Sequence, residues 1–311
     1  MIVSDLGEMN LIERLKRRLG RTPLVVLGIG DDTAVLRRPT LPGVGASDTV
    51  LLLASDMVVE GVHFTRASVS PRAIGWKALA GNVSDVAAMG GRPCAAVVSL
   101  GLPRTIPVRF VEALYRGLSA CARRFGLAIV GGDTVRAPCV IVDVAILGVA
   151  DRRRLALRRG ARIGDQLYVT GRLGNSLRSG RHARFLPRLR EAVWLTRRGA
   201  VHAMIDVSDG LSSDLWQVAR ASRATLRVEA ARIPTARGLT GRRGLHRALT
   251  DGEDFELLVA VPPREAKRLP RRIGRCPLTR IGSVVGRGAR VELQEPDGTV
   301  RPLAPGGFRH F

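Results

Sequence analysis

Apolar residues along the chain follow two spacings, and the alternation between them is the first guide to architecture. Over Ser4 to Leu19, Leu6, Met9, Ile12, Leu15 and Leu19 recur at three- and four-residue steps before Gly20. That pattern predicts an amphipathic helix with a glycine stop. Leu24 to Leu27 and Val50 to Ala54 are short continuous apolar runs, which predict buried strands delivering Asp31, Asp32 and Asp56 just past their ends. Pro71 to Ala88 predicts a helix that opens on proline and stops at Gly90-Gly91. A strand over Ala95 to Leu100 and a helix over Val108 to Phe125 follow. Then come a strand over Leu127 to Val130, ending at Gly131-Gly132-Asp133, and another over Val140 to Val149.

The arginine-rich stretch from Asp151 to Arg162 interrupts this pattern and divides the chain into two expected domains, 1–150 and 151–311. Beyond it, Gln166 to Thr170, Ala203 to Ile205, Thr225 to Val228 and Phe255 to Val261 predict strands. Leu186 to Arg198 and Leu211 to Ser222 predict helices. Strands and helices alternating through both parts favour an α+β, layered mixed α/β architecture. Asn82-Val-Ser-Asp85 is echoed by Asp206-Val-Ser-Asp209, a match too short to establish a repeat.

Composition narrows the partners. At 311 residues, 45% hydrophobic and 25% charged, the chain is globular and long enough for two cores. A net charge of +23 and a pI near 11.6 are the footprint of a nucleic-acid binder. Yet lysine occurs only at 16, 77 and 267, the arginines are scattered in pairs and triplets, and aromatics are only 4%. No basic arm or aromatic-interleaved stripe results, which disfavours nucleic acid. Cys94, Cys121, Cys139 and Cys276 lie far apart, so neither a disulfide framework nor a zinc site is expected, and a reducing compartment fits. The N-terminus carries Asp5 and Glu8 without a basic, apolar leader, and the apolar stretch Cys139 to Ala150 is broken by Asp143. A soluble, cytoplasmic protein with no membrane span is the expectation.

Candidate chemistry lies in six carboxylate motifs: Gly28-Ile29-Gly30-Asp31-Asp32, Ser55-Asp56, Asn82 to Asp85, Gly131-Gly132-Asp133-Thr134, Asp206 to Gly210 and Gly252-Glu253-Asp254. Gathering several carboxylates away from water is costly unless cations hold them. Mg²⁺ prefers such oxygen ligands and commonly arrives with phosphates. A Walker A loop is excluded, because no lysine has that context. Gly28-x-Gly30 lacks the third glycine of a dinucleotide fingerprint. The protein-kinase set, a Gly-x-Ser-x-Gly elbow and an H-E-x-x-H pair are also missing. Singly, Asp85 or Asp209 reads as a helix cap or surface residue. Asp31 reads as the structural member of its pair, Asp214 as a solvated helix residue, and Trp76 and Met89 as helix packing.

Together, in this order and spacing, the motifs resemble the thiamine-monophosphate kinases of the aminoimidazole ribonucleotide synthetase-like superfamily. The most specific stretches are Gly28 to Asp32, Ser55 to Phe64, Asn82 to Gly90, Gly252 to Leu257 and the terminal Gly307-Phe308-Arg309-His310-Phe311. The resemblance implies two mixed α/β domains, the first pairing with that of a second copy in a homodimer. It implies direct in-line transfer of the γ-phosphoryl of ATP to thiamine monophosphate, assisted by several Mg²⁺ ions. Asp32, Ser55, Asp56, Asp85, Asp133, Asp206 and Asp209 match metal positions. Tyr115, Gly132, Asp133, Arg158 and Ser208 match ATP positions. His63, Glu253 and Phe308 match positions around the thiamine moiety, with Phe308 stacking on its cationic ring and Glu253 neutralising it. Ala54 stands where family members often have a hydroxyl residue, and Arg309 where aspartate is common. Another ATP-dependent enzyme of the superfamily is the nearest rival, though no cysteine precedes Gly28 as a selenophosphate synthetase would need. A basic nucleic-acid-binding protein is the distant one.

Overall fold

A computed structural model of the chain describes residues 10, 25–27, 30–37, 48–199 and 201–310. Apart from Asn10, the helix expected over Ser4 to Leu19 lies outside the described residues, as do Leu24, Gly28, Ile29 and Phe311. Six strands, β1 (Val25–Leu27), β2 (Ala34–Arg37), β3 (Thr49–Val59), β4 (Arg92–Leu102), β5 (Ala128–Arg136) and β6 (Ile141–Asp151), form one sheet in the order β1-β2-β3-β6-β4-β5. Neighbours are antiparallel except β4 and β5, which the helix between them makes parallel. Along β6 the side chains alternate. Val142, Val144 and Ile146 are fully buried, while Ile141, Asp143, Ala145 and Leu147 on the other face are half-buried.

Helices α1 (Pro71–Ala88) and α2 (Val108–Phe125) cover the buried face. Ser70 caps α1 by accepting from the Ala73 amide, and Pro71 fills its first turn. Thirteen of its 18 residues are buried, so α1 carries small and apolar side chains all round and is a core helix. It packs on β3, β6 and α2 in the first half of the chain. Gly75 and Gly117 let α1 and α2 touch, because a side-chain carbon at either would overlap a carbonyl oxygen of the other helix. α2 is amphipathic instead. Leu114, Leu118 and Cys121 face inward, and Gly126 ends it at φ +72°.

The second half folds around β7 (Gln166–Thr170), β8 (Ala203–Val207), β9 (Ala224–Glu229), β10 (Glu256–Val261), β11 (Arg272–Ile273), β12 (Cys276–Arg287), β13 (Arg290–Gln294) and β14 (Val300–Pro302). The order is β14-β13-β9-β12-β7-β10-β8, with β11 on β12. Both faces of this sheet are covered. α4 (Leu211–Ser222) and α5 (Gly241–Thr250) pack on one through Leu215, Val218 and Leu249. α3 (Leu189–Arg197) and the end of α1 pack on the other through Leu195, Ala87 and Ala88, and a short α6 (Pro263–Ala266) follows β10. α1 thus belongs to both cores.

Several expectations need correction. Strands β3, β5 and β8 run through Ser55-Asp56, Gly131-Gly132-Asp133 and Asp206 instead of stopping before them, because ladder pairing with β6, β4 and β10 continues. Asp214 is buried and accepts from the Gly210 amide at 3.3 Å, so it is a buried cap of the turn entering α4 and not solvated. The echoed motifs sit in unlike elements, one in α1 and the other leaving β8, so they are no structural repeat. They meet nonetheless: Ser84 Oγ donates to Asp206 Oδ2 at 2.6 Å. Met89 is fully buried and Trp76 packs on Phe125, as expected of helix packing. Among the described residues no helix is long and apolar enough to cross a membrane.

Candidate active site

A cleft of about 1410 Å³ opens where α1, β3 and β8 converge, and its two ends differ in kind. At one end Asp32 comes from the turn between β1 and β2, Asp56 from β3, Asp85 from the last turn of α1 and Asp206 from β8. Asp32, Asp85 and Asp206 each present an oxygen, all within 4.8 Å of one another. Arg158 closes this end. Its guanidinium donates to Asp32 Oδ1 at 2.9 Å and its backbone amide to Asp31 Oδ2 at 3.1 Å.

The carboxyls here are mutually destabilised. Burial, then the Asp32 charge, lift Asp31 to about 7. Loss of hydration raises Asp56; its hydrogen bond to Asp85 opposes this, and Asp32 and Asp143 add to it. Asp85 is held well above the carboxylate range by burial, then by Asp56 and Asp206. Asp206 is likewise raised by burial and Asp32, although Ser84 donates to it. Burial and Asp209 raise Asp214. Among the described residues one arginine opposes such a set, and these carboxyls are pushed toward their protonated forms. An all-oxygen donor set of this charge fits a hard divalent cation, which would displace those protons. Asp209 and Ser208, in the turn after β8, also line the cleft. Ser55 points to the opposite face of β3 from Asp56 and donates to Asp143 Oδ1 at 2.9 Å.

At the other end charges are matched inside the protein. His63 Nδ1 accepts from the Val59 amide at 3.1 Å, which leaves the ring proton on Nε2. Burial, then Lys77, lower the His63 pKa. Its ring lies 6.3 Å from Phe308 and 5.4 Å from His310. The tail that carries both rings is strapped to α4: Ser212 and Ser213 donate to the Gly306 carbonyl, Trp216 Nε1 donates to the Leu303 carbonyl, and the Phe308 amide donates to Asp209 O. Gly307, at φ +149°, is needed because any side chain would collide with Asp209 O. Glu253 lies at φ +61°, fixed by its amide donating to Ser208 O at 2.6 Å. Burial opposes ionisation of Glu253, but His182 and Lys77 outweigh it and hold the carboxyl below its ordinary range.

Tyr115, Gly132 and Asp133 are not brought to the cleft. Tyr115 is half-buried on α2 against the first core. Gly132 and Asp133 are exposed on edge strand β5, where Asp133 Oδ1 accepts from the Thr134 amide at 2.7 Å. The register row Met57–Asp143–Ser99–Asp133 puts Asp133 three strand spacings from β3, roughly 14 Å. Sequence reasoning also missed Lys77, His182 and Asp143. Lys77 did carry a signal: it is a lysine amid small residues in a chain that otherwise uses arginine.

The model for AIR synthase related protein, N-terminal domain, matches residues 30–150, and that for the C-terminal domain matches residues 162–294. Fold and cleft therefore define a two-domain protein of the AIR synthase related class. A thiamine-monophosphate kinase of Rhodopirellula baltica is 40% identical over 291 residues, covering 90% of each chain. One of Aquifex aeolicus is 31% identical over 338 residues, covering 100% of both. The structure of AaThiL complexed with AMPPCP and TMP matches with a TM-score of 0.83 at 32% identity, covering 100% of this chain and 99% of that one. Within its class, the chain belongs to the thiamine-monophosphate kinase family.

Proposed function

We propose that the protein transfers the γ-phosphoryl group of ATP directly and in line to thiamine monophosphate, yielding thiamine diphosphate and ADP. The observation that carries this reading is the convergence, in one cleft, of the Asp32–Asp85–Asp206 cluster with His63, Glu253 and Phe308. It is supported by the likeness to a protein complexed with AMPPCP, an ATP analogue, and TMP. The acceptor is itself a phosphate whose second ionisation lies near pKa ~6, so its attacking oxygen is charged at neutral pH and needs no general base. The obstacle is repulsion between two polyanions. Several Mg²⁺ ions, when bound, neutralise it.

Asp32, Asp56, Asp85, Asp206 and Asp209 hold those ions on this chain, with Ser55 assisting through its backbone carbonyl, since its hydroxyl is turned to Asp143. Arg158 and Ser208 face the nucleotide, and His63, Glu253 and Phe308 enclose the thiamine moiety. Domain 1–150 and domain 151–311 close on the substrates from opposite sides. Asp133, Gly132 and Tyr115 act on ATP through a homodimer of the first domains. The face of the first sheet that no helix covers among the described residues carries exposed Leu53, Met57, Val97 and Val135, which suits a second copy. The test incubates purified protein with ATP, Mg²⁺ and thiamine monophosphate and watches for thiamine diphosphate, with plain thiamine as the control. Turnover of the monophosphate alone is expected. Absence of diphosphate, or equal phosphorylation of thiamine, contradicts the reading.

A further inference from the structure

Arg158, the cation at the acidic end of the cleft, sits on the arginine-rich stretch between the two halves of the chain, and its peptide groups are gripped from both sides. From the first half, Asp31 Oδ2 accepts from the Arg158 amide at 3.1 Å. From the second, Ser222 Oγ donates to the Arg158 carbonyl at 3.2 Å. Ser222 is the last residue of α4, and it is not among the residues that line the cleft. The same hydroxyl oxygen accepts from the Gly160 and Ala161 amides, each at 3.1 Å. A hydroxyl has one proton to give and two lone pairs to offer, so these three bonds use its whole capacity.

The residues that follow Arg158 are fixed to the second half as well. Gly160, at φ +121°, passes close to the residue before β8, because a side-chain carbon there would overlap the His202 carbonyl oxygen. Asp165 accepts from the Arg162 amide at 2.8 Å, and its carboxylate lies 2.9 Å from His202 Nδ1. The backbone from 158 to 165 is therefore tied to α4 and to the start of β8. The Arg158 guanidinium, by contrast, reaches across to Asp32 of the first half, donating at 2.9 Å. A long arginine side chain has much rotamer freedom, and its planar fork meets a phosphate in two parallel bonds only from a fixed origin.

We propose that Ser222 is a positioning residue for nucleotide binding: its hydroxyl fixes the backbone origin of Arg158, so that the guanidinium is presented to an anionic nucleotide phosphate. This rests on the reading that Arg158 faces the nucleotide. The acceptor, enclosed by His63, Glu253 and Phe308, lies at the other end of the cleft and does not depend on this anchor.

The test measures steady-state kinetics for ATP and for thiamine monophosphate, and the calorimetric affinity for AMPPCP with Mg²⁺. It uses wild type, Ser222→Ala, Ser222→Thr, Ser222→Val, Arg158→Met and the double variant Arg158→Met with Ser222→Ala. Ser222→Ala should raise the KM for ATP and the Kd for AMPPCP by about fivefold to tenfold, and the KM for thiamine monophosphate by less than about twofold. Ser222→Thr keeps the hydroxyl and should stay within about threefold of wild type. Ser222→Val has the shape of threonine without the hydroxyl and should match Ser222→Ala. This pair keeps the hydroxyl's effect readable if Ser222→Ala fails to fold. In the Arg158→Met background, Ser222→Ala should weaken ATP use no further. A Ser222→Val enzyme that binds AMPPCP like wild type overturns the inference. So does a loss that is equal for both substrates, or that recurs in full without Arg158, since a merely structural role acts that way. Either result, with Arg158→Met impaired toward ATP, leaves the reading of Arg158 standing. An Arg158→Met enzyme that uses ATP like wild type removes that reading and this inference with it.

Discussion

The two ends of the cleft use ionisable side chains in opposite ways. At the Asp85 end, Asp31, Asp56, Asp85 and Asp206 crowd one another, with Arg158 as the cation the described residues place beside them, and all four are pushed toward the protonated form. At the Glu253 end, Lys77 and His182 hold a single carboxylate below its ordinary range. The first end carries negative charge that the described residues do not balance, while the second is balanced within the protein. A site that joins two polyanions benefits from this division. On the proposed reading, charge compensation arrives with the nucleotide, while groups already fixed in the protein recognise the organic part of the acceptor.

The largest break in this contrast should come from Asp206→Asn. Losing that carboxylate should lower kcat on the order of 10³-fold, read in steady-state assays at saturating ATP and Mg²⁺. Its far-ultraviolet circular dichroism should remain that of wild type, since the variant relieves repulsion. Phe308→Ala acts at the other end and should be milder. The KM for thiamine monophosphate should rise about tenfold, with that for ATP changed less than about twofold. Equal effects on both would remove Phe308 from the acceptor side.

Stability against pH separates the ends further. A carboxyl raised in the folded state stabilises the fold while protonated, and that contribution is lost as pH rises through the folded value. For Asp31 the window runs from the ordinary aspartate value of 3.8 to about 7. Without Mg²⁺, the melting temperature should therefore fall as pH rises across that window, and Mg²⁺ should flatten the slope. Glu253 has the opposite sign. Its depressed pKa contributes stability above 4.5 that is lost as pH falls below it. Glu253→Gln should leave the metal-free slope between pH 5 and 7 in place (about as steep as in wild type). The smallest effect is expected from Ser55→Ala, which deletes one hydroxyl hydrogen-bonded to Asp143 and should cost about threefold in kcat/KM.

Much of this was legible in the sequence, for identifiable reasons. The bounds of α1, α2, β7 and α4 follow from proline, glycine and apolar spacing, which are local signals. Strand ends were not legible at Asp56, Asp133 and Asp206, because pairing partners far along the chain decide where a ladder stops. β12 was missed altogether. Pro277, Gly282 and Gly286 disguise it, and its bulges at Arg280/Gly282 and Val284/Gly286 break the two-residue alternation. Asp214 looked solvated because a lone aspartate in a helix carries no mark of burial. At the cleft, carboxylate motifs named the residues that converge, but the internal pairing of Glu253 with Lys77 and His182 has no signature in spacing. The distance of Asp133 from the cleft was equally hidden, since it depends on the strand order of the sheet.

The most direct measurement titrates Mg²⁺ against turnover of thiamine monophosphate in wild type and in Asp85→Asn, with calorimetry of Mg²⁺ binding in the presence of AMPPCP. The account predicts Mg²⁺-dependent turnover in wild type, and in the folded variant both weakened Mg²⁺ binding and turnover reduced by at least about a hundredfold. A folded Asp85→Asn protein that binds Mg²⁺ and turns over like wild type at low Mg²⁺ would contradict it.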